Sequence, residues 1–342
     1  MNAAAANESR RHFLRNAAGF AALAQQAMAQ QNRSGAPPTR RLGRTDEQVS
    51  IIGLGGAHIG RAGNDDEAEA IRIMHRAIDG GVTFFDNAWV YADGYAEEVM
   101  GKALQGGKRQ KVFLMTKNAG RDRAFSQQCL DDSLRRLRTD YLDLWQFHET
   151  NYDNDPDWVF EKGGLQFALE AQRAGKVRYI GFTGHKNPRI HDKMLNKGYE
   201  WATAQMPINV MDAHYRSFQK QVLPVCLAKD VGAIGMKTLG GGPRVAKIPS
   251  STAISAEECV RYALSQPVST IVRGWLTMEQ LEADLKITSD FRPLSAEAQA
   301  ELEARSRPEA GDGRHELFKS TRVYDGPVYR KMHGLPLDGD SL

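Results

Sequence analysis

From Arg40 onward the chain alternates short apolar runs, rich in β-branched and aromatic residues, with longer stretches whose apolar residues recur at helical spacing. That alternation marks repeated βα units. Eight strands are predicted: Val49 to Leu54, Thr83 to Asp86, Val112 to Lys117, Leu142 to His148, Val177 to Thr183, Ala202 to Met206, Ala233 to Lys237 and Thr270 to Arg273. Between them, Asp65 to Asp79 carries a stripe of Ala68, Ile71, Ala77 and Ile78, and Ala124 to Leu137 one of Leu130, Leu134 and Leu137. Eight strands each followed by a helix predict an α/β fold, the closed (β/α)8 TIM barrel. An open doubly wound sheet fits less well, because Gly53-Leu54-Gly55-Gly56-Ala57-His58 lacks the third glycine of its dinucleotide fingerprint.

Arg41 to Thr45, ahead of the first barrel strand, predicts an N-terminal β-hairpin plugging the bottom of the barrel. From Glu301 the periodicity weakens, and Pro308 to Leu342 is polar and rich in Gly and Pro, dotted with Phe318, Tyr324 and Tyr329. This segment is expected to be a docked flap or a partly disordered tail. The chain thus divides into residues 1–29, a linker over 30–39, a barrel over 40–300 and a C-terminal tail over 301–342.

The first segment has its own chemistry. Ser9-Arg10-Arg11-His12-Phe13-Leu14-Arg15 is followed by an apolar run from Asn16 to Ala24 and then by Ala27-Met28-Ala29. The run is far shorter than the ~20 residues a stable membrane-spanning helix needs, and it suits the apolar core of an export signal with a small-x-small cleavage site. Paired arginines before Phe-Leu closely resemble the twin-arginine export signal. The resemblance implies a partner in the twin-arginine machinery, export of an already folded protein, and a periplasmic location without a membrane span.

Composition adds mainly exclusions. Counting glycine and leaving out tyrosine, roughly 47% of residues are apolar, inside the globular range and outside the disordered and collagenous ones. The formal charge of +3 is too balanced for the basic stripe that nucleic-acid binding needs. Without residues 1–29, which hold three arginines and one glutamate, it drops to +1. Cys129, Cys226 and Cys259 are too widely spaced for a metal pair or a disulfide framework and read as small buried hydrophobes. Their lack of pairing suits a chain that folds in a reducing compartment.

In a barrel of this kind the chemistry sits where strands end. The second strand runs into Asp86-Asn87-Ala88-Trp89-Val90-Tyr91, the third ends Met115-Thr116-Lys117 and the fourth ends Gln146-Phe147-His148. A carboxylate, a phenol, an ammonium and an imidazole therefore converge on one mouth. Together they make a proton donor for a carbonyl: Tyr91 as general acid, Lys117 beside it, Asp86 holding Lys117 charged, and neutral His148 steering the substrate oxygen. Hydride must come from a nicotinamide or a flavin, because no side chain supplies one. Asn151 to Asp157 superficially resembles a calcium loop, but Trp158 replaces the required glycine, and a turn opening the fourth helix is the expected reading. No cluster of metal ligands is expected at the strand ends.

Phe85-Asp86-Asn87-Ala88-x-x-Tyr91, Met115-Thr116-Lys117 and Gln146-Phe147-His148, with Gly53-Leu54-Gly55 and Arg40-x-Leu42-Gly43-Arg44-Thr45, closely resemble the aldo-keto reductase superfamily over about Arg40 to Leu294. The resemblance puts Asp86, Tyr91, Lys117 and His148 on the four catalytic positions. It implies a nicotinamide dinucleotide, NADP by family habit with NAD as the alternative, contacted by Gly55, Thr183, Gln205, Met236, Lys237, Leu239, Gly241, Arg273, Gly274, Gln280 and Asp284. Several of these depart from the family pattern. Thr183-Gly184 stands where Ser-Asn is usual, Met236 where an aromatic ring is usual, Lys237 where a serine is usual and Asp284 where an asparagine is usual.

Lys237 and Gly240-Gly241-Gly242 are expected at the pyrophosphate, and Arg273 is the nearby cation for a 2′-phosphate. Trp89, His185, Tyr215, Trp275 and the tail are candidate substrate contacts. After Cys259 there are no further cysteines, so no iron–sulfur centre is expected. The expected function is NAD(P)H-dependent reduction of a small aldehyde or ketone. The competing reading is a nicotinamide-binding sensor or auxiliary subunit with little turnover. A metal-dependent hydrolase has no support in the ligand pattern.

Overall fold

A computed structural model of the chain describes residues 35–60, 66–241 and 247–337. The export signal assigned to residues 1–29, residues 30–34 of the 30–39 linker and Gly242 lie outside the described residues.

The strands are β1 (Thr39–Arg41), β2 (Gln48–Ser50), β3 (Ile52–Gly55), β4 (Phe84–Asp86), β5 (Phe113–Asn118), β6 (Leu142–Phe147), β7 (Val177–Thr183), β8 (Thr203–Pro207), β9 (Gly232–Met236) and β10 (Thr270–Arg273). The last eight are parallel and close into a barrel, with β10 pairing back onto β3. The register sets Gly55 beside Asp86, Lys117 beside Gln146 and Thr183 beside Gln205. Because the strands run one way, these residues share one rim.

The predicted first strand, Val49 to Leu54, is two strands. β2 folds back antiparallel on β1, and only β3 enters the barrel. The break is hidden in the apolar pattern because both parts are buried, Val49 among the barrel-interior side chains and Ile52 in the layer shared with the helices. Leu42 and Val49 of the hairpin join Phe84, Phe113, Met115, Leu144 and Ile234 inside the barrel. The hairpin turn lies against β9: Gly43 has φ 53°, and a Cβ there would fall 2.1 Å from the Gly232 nitrogen, so only glycine fits.

The helix Glu67–Asp79 buries Ala70, Ile73, Met74, Ala77 and Ile78, a cleaner helical stripe than the predicted one; Ala68 is exposed and Ile71 half-buried. Its start is capped by Asp66, as that of Arg123–Leu137 is by Asp122. The three cysteines are buried and unpaired, and burial pushes each thiol up to about 12. No helix among the described residues is long and apolar enough to cross a membrane.

The helix Ala296–Ala310 runs through the boundary expected after residue 300. Beyond it, the short helices Leu317–Ser320 and Pro327–Met332 form a cap docked on the rim where the strands end. The cap is fastened by buried polar contacts. Lys319 donates to Asp212 at 2.6 Å, Asn209 donates to Glu316 at 3.0 Å and Lys186 donates to Asp325 at 2.8 Å. Arg330, itself buried, donates to the Asp325 and Arg322 carbonyls within the cap.

Candidate active site

Asp86 ends β4, Lys117 lies one residue from the end of β5, and His148 directly follows β6. Tyr91 opens the 3-10 turn Tyr91–Gly94, in which Ala92 (φ 48°) and Asp93 (φ 52°) are left-handed, a conformation costing roughly 1–2 kcal/mol per non-glycine residue. Glu149 (φ 48°) and Lys237 (φ 60°) share that conformation just past β6 and β9, so backbone strain gathers around this mouth.

Lys117 is the hub. Its ammonium is ion-paired with Asp86, donates to the Asn87 carbonyl at 2.8 Å and lies 3.2 Å from the Tyr91 hydroxyl, so all three donors are engaged. The Lys117 and Asp86 side chains are only 1% and 4% exposed. Burial works against the ammonium, but Asp86 and Tyr91 outweigh it and hold Lys117 above its ordinary value. Burial raises Tyr91 above the ordinary phenol, with Lys117 partly offsetting it. Tyr91 is therefore a neutral phenol with a proton to give. Burial, helped by Lys117, His185 and Arg121, keeps His148 neutral, well below the ordinary imidazole value. Its ring stands edge-on to Tyr91 at 5.6 Å.

Gln205 reaches the same group from β8: its Nε2 donates to Asp86 Oδ2 at 2.7 Å, while its buried Oε1 has no hydrogen-bond partner among the described residues. An orphaned carbonyl oxygen beside the Asp86 carboxylate suits the amide N–H2 of a nicotinamide carboxamide, so the residues present fit that end of a dinucleotide. Thr183, buried at the end of β7, neighbours it, its carbonyl accepting from Thr150. Met236 ends β9 half-buried, and the Leu239 carbonyl accepts from Ile248, which packs close to Gly240.

Toward the far end of the groove the polar groups are paired with one another. Asp284 accepts from Arg273 at 2.8 Å and from the indole of Trp275 at 2.7 Å, and Gln280 accepts from the Leu276 amide at 2.8 Å. Arg273, expected to face a 2′-phosphate, is thus turned onto Asp284, because an aspartate at this position offers it a buried counter-charge. Gly55 and Gly274 lie side by side at the β3–β10 seam, where a Cβ on Gly274 would fall 1.9 Å from His58 Nδ1. Gly241 follows Gly240 at the edge of the undescribed segment. Lys237, expected at the pyrophosphate, instead has its ammonium over the cap rings of Tyr324 (4.9 Å) and Phe318 (5.8 Å).

The expected substrate contacts scatter. Trp89 packs edge-on against Phe125 and donates to Asp132, Tyr215 lies against Gly313 of the tail, and Trp275 is held by Asp284. His185 remains at the mouth, its Nδ1 3.0 Å from the Phe318 carbonyl. No ligand cluster is expected at the strand ends; Glu149 and His185, just past two of them, bring potential ligand atoms within 4.8 Å of one another and of Asp325. The cap supplies its third member, which strand-end residues alone could not reveal. Lys186 ion-pairs with Asp325, and Tyr152 donates to the same carboxylate, so the cluster is already cross-linked as part of the cap contact. Asn151 to Trp158 forms a helix-opening turn, with Asp155 accepting from the Asn151 and Tyr152 amides.

One neighbour of the tetrad escaped the strand-end logic altogether. The Tyr329 hydroxyl, from the cap, lies 2.8 Å from His148 Nδ1, and its ring stands edge-on to the imidazole at 5.5 Å. Its trace in the sequence is one of three aromatic residues, with Phe318 and Tyr324, in a mainly polar tail.

The barrel and this rim define a family. The model of the aldo/keto reductase family matches residues 51–258, and the chain belongs to that family. It is 32% identical over 226 residues to the uncharacterized oxidoreductase YrpG of Bacillus subtilis, covering 59% of this chain and 66% of YrpG, just under two thirds of the latter. It is 31% identical over 261 residues to the uncharacterized oxidoreductase YqkF of the same organism, covering 73% of this chain and 79% of YqkF. A crystal structure of an aldo/keto reductase from Klebsiella pneumoniae in complex with NADP and acetate superposes with a TM-score of 0.63 at 25% identity, over 79% of this chain and 95% of that one.

Proposed function

We propose that the protein reduces a small aldehyde or ketone to the alcohol with NADPH, using Tyr91 as general acid. The observation that carries this reading is the buried chain Asp86–Lys117–Tyr91 beside a neutral His148 at the strand ends of an aldo/keto reductase barrel. When bound, the dinucleotide supplies the hydride. Negative charge then builds on the carbonyl oxygen, and donors fixed beforehand around that oxygen lower the barrier. Tyr91 gives up its phenolic proton to it. Lys117, kept charged by Asp86, stabilises the phenolate left behind, and the engaged donors of Lys117 leave the ammonium no freedom to turn away. With the dinucleotide bound, Gln205 Oε1 would hold its carboxamide. NADP over NAD is supported by the family and by the NADP carried by the Klebsiella relative.

Tyr91→Phe should abolish reduction, a loss of about 10²–10⁴-fold for a general acid, while leaving NADPH affinity in place; a fully active variant overturns the assignment. A second reading, a nicotinamide-binding sensor with little turnover, is favoured by Arg273 being committed to Asp284 and Lys237 to the cap. Tightly bound nucleotide that no carbonyl compound oxidises, followed at 340 nm, would select it.

The proposal extends to the whole chain: 1–29 as a twin-arginine signal, 30–39 as linker, 40–300 as the catalytic unit and 301–342 as its tail, with periplasmic delivery of a protein loaded with cofactor before export. Arg10-Arg11 ahead of Phe13-Leu14 and the Ala27-Met28-Ala29 site support this. Replacing both arginines by lysine should retain the protein in the cytoplasm, and unchanged periplasmic recovery would reject it.

A further inference from the structure

We propose that Tyr329 is a positioning residue for carbonyl reduction: its hydroxyl donates to Nδ1 of His148 and so commits the imidazole proton to Nε2, the nitrogen left to meet the substrate oxygen. The inference rests on the reading of this rim as a reductase site and deepens it.

The assignment follows from accounting for protons. Tyr329 is 1% exposed and His148 6% exposed, and among the described residues the contact between them is the only hydrogen bond of the phenol oxygen. If His148 Nδ1 carried the proton, Tyr329 would accept it, and its own O–H would be left buried without an acceptor. An unsatisfied buried donor costs about 1–3 kcal/mol. If Tyr329 donates, both groups are satisfied and the imidazole carries its single proton on Nε2. A positively charged ring, which would make the question moot, is opposed by burial and by the Lys117 ammonium nearby.

The other nitrogen has a different environment. Among the described residues nothing hydrogen-bonds His148 Nε2, while the ring is fixed between two phenols, Tyr91 edge-on at 5.6 Å and Tyr329 edge-on at 5.5 Å. An Nε2–H is a donor aimed at developing oxyanion charge; an Nε2 lone pair would repel it. Which nitrogen holds the proton is therefore a catalytic variable, and the cap sets it. Arg121, whose guanidinium carbon lies 5.7 Å from the centre of the Tyr329 ring and which donates to the His148 carbonyl at 2.7 Å, steadies both residues from below.

The test is nitrogen-15 NMR of the full-length protein, with the His148 signals assigned by their loss in His148→Asn. The wild type should show a protonated, pyrrole-type Nε2 and an unprotonated, hydrogen-bonded Nδ1; a proton on Nδ1 overturns the proposal whatever any variant does. Tyr329→Phe, which removes one oxygen and keeps the ring, should give tautomer-averaged shifts. It should also lower kcat about five- to tenfold, the worth of roughly one hydrogen bond, with NADPH affinity unchanged. Wild-type tautomer and kcat in that variant would equally overturn the proposal. A variant that unfolds leaves the wild-type spectrum to decide. Failure of the functional reading looks different: Tyr91→Phe stays fully active, while the His148 spectrum still reports where the proton is.

Discussion

Asp86→Asn probes the hub of the site with almost no change of shape. In the wild type Lys117 is buried to 1% exposure and its ammonium has three neighbours, of which only Asp86 carries full negative charge. The substitution leaves a buried ammonium with neutral acceptors alone. Breaking a buried pair by removing one partner costs about 3–5 kcal/mol. At about 2 °C per kcal/mol for a chain of this size, the thermal midpoint should fall by about 6–10 °C. The pH dependence has a definite sign. The folded wild type holds Lys117 above its ordinary value, so the stabilisation is present below that value and is lost only as pH rises through the raised one. Without Asp86, burial dominates and the folded-state value drops. The stability gap should then be widest at low pH and should narrow as pH rises toward the ordinary lysine value. Reduction, which needs the ammonium beside Tyr91, should decline with rising pH in the variant across a range where the wild type is flat. Melting curves and kcat–pH profiles on the same samples test both parts. An unchanged midpoint with an unchanged profile would refute the view that Asp86 keeps Lys117 charged.

Other substitutions test the rim and the groove. Asp284→Asn removes the carboxylate that engages Arg273, so NADPH should gain on NADH by about tenfold or more, the worth of one charge-assisted hydrogen bond to phosphate, as read by calorimetric titration; an unchanged ratio would mean Arg273 never reaches the 2′-phosphate. Gln205→Leu removes the orphaned Oε1 and should weaken NADPH binding about five- to tenfold by fluorescence titration, and unaltered affinity would dismiss the carboxamide contact. Burial pushes Glu149 up to about 8, so it stays protonated in the folded state where the unfolded chain has already released the proton. Stability should therefore fall as pH rises from about 4.5 to about 8, and Glu149→Gln should flatten that slope in urea unfolding at pH 5 and pH 8. A slope retained by the variant would exclude Glu149 as its source.

The barrel was legible because parallel strands buried on both faces read as apolar runs, and their ends mark where chemistry must be. That single rule brought Asp86, Tyr91, Lys117 and His148 together across 63 positions of sequence. It did not reach the charges buried under the cap. Glu316, Lys319, Asp325 and Arg330 look like the solvated residues of a loose tail, yet all are buried, each matched to a partner that periodicity does not reveal. Nor does it reveal that Arg273, a cation near the expected phosphate, is paired with Asp284. The hairpin break between Ser50 and Ile52 was missed for the opposite reason, since apolar side chains on either side are buried in different layers.

The cap also bears on how the site is closed. Tyr329 meets His148 across 181 residues of chain, and His333 meets Asp155 across 178, whereas each barrel strand pairs with a neighbour a few tens of residues away, β10 with β3 excepted. The β3–β10 pairing spans a still longer separation, so chain distance alone does not order barrel and cap; what sets the cap apart is that, among the described residues, it shares no strand pairing with the barrel. Local opening of the cap would part Tyr329 from His148 while leaving the strand ladder of the barrel intact. On the proposed role of Tyr329, the proton on His148 would then report whether the cap is docked.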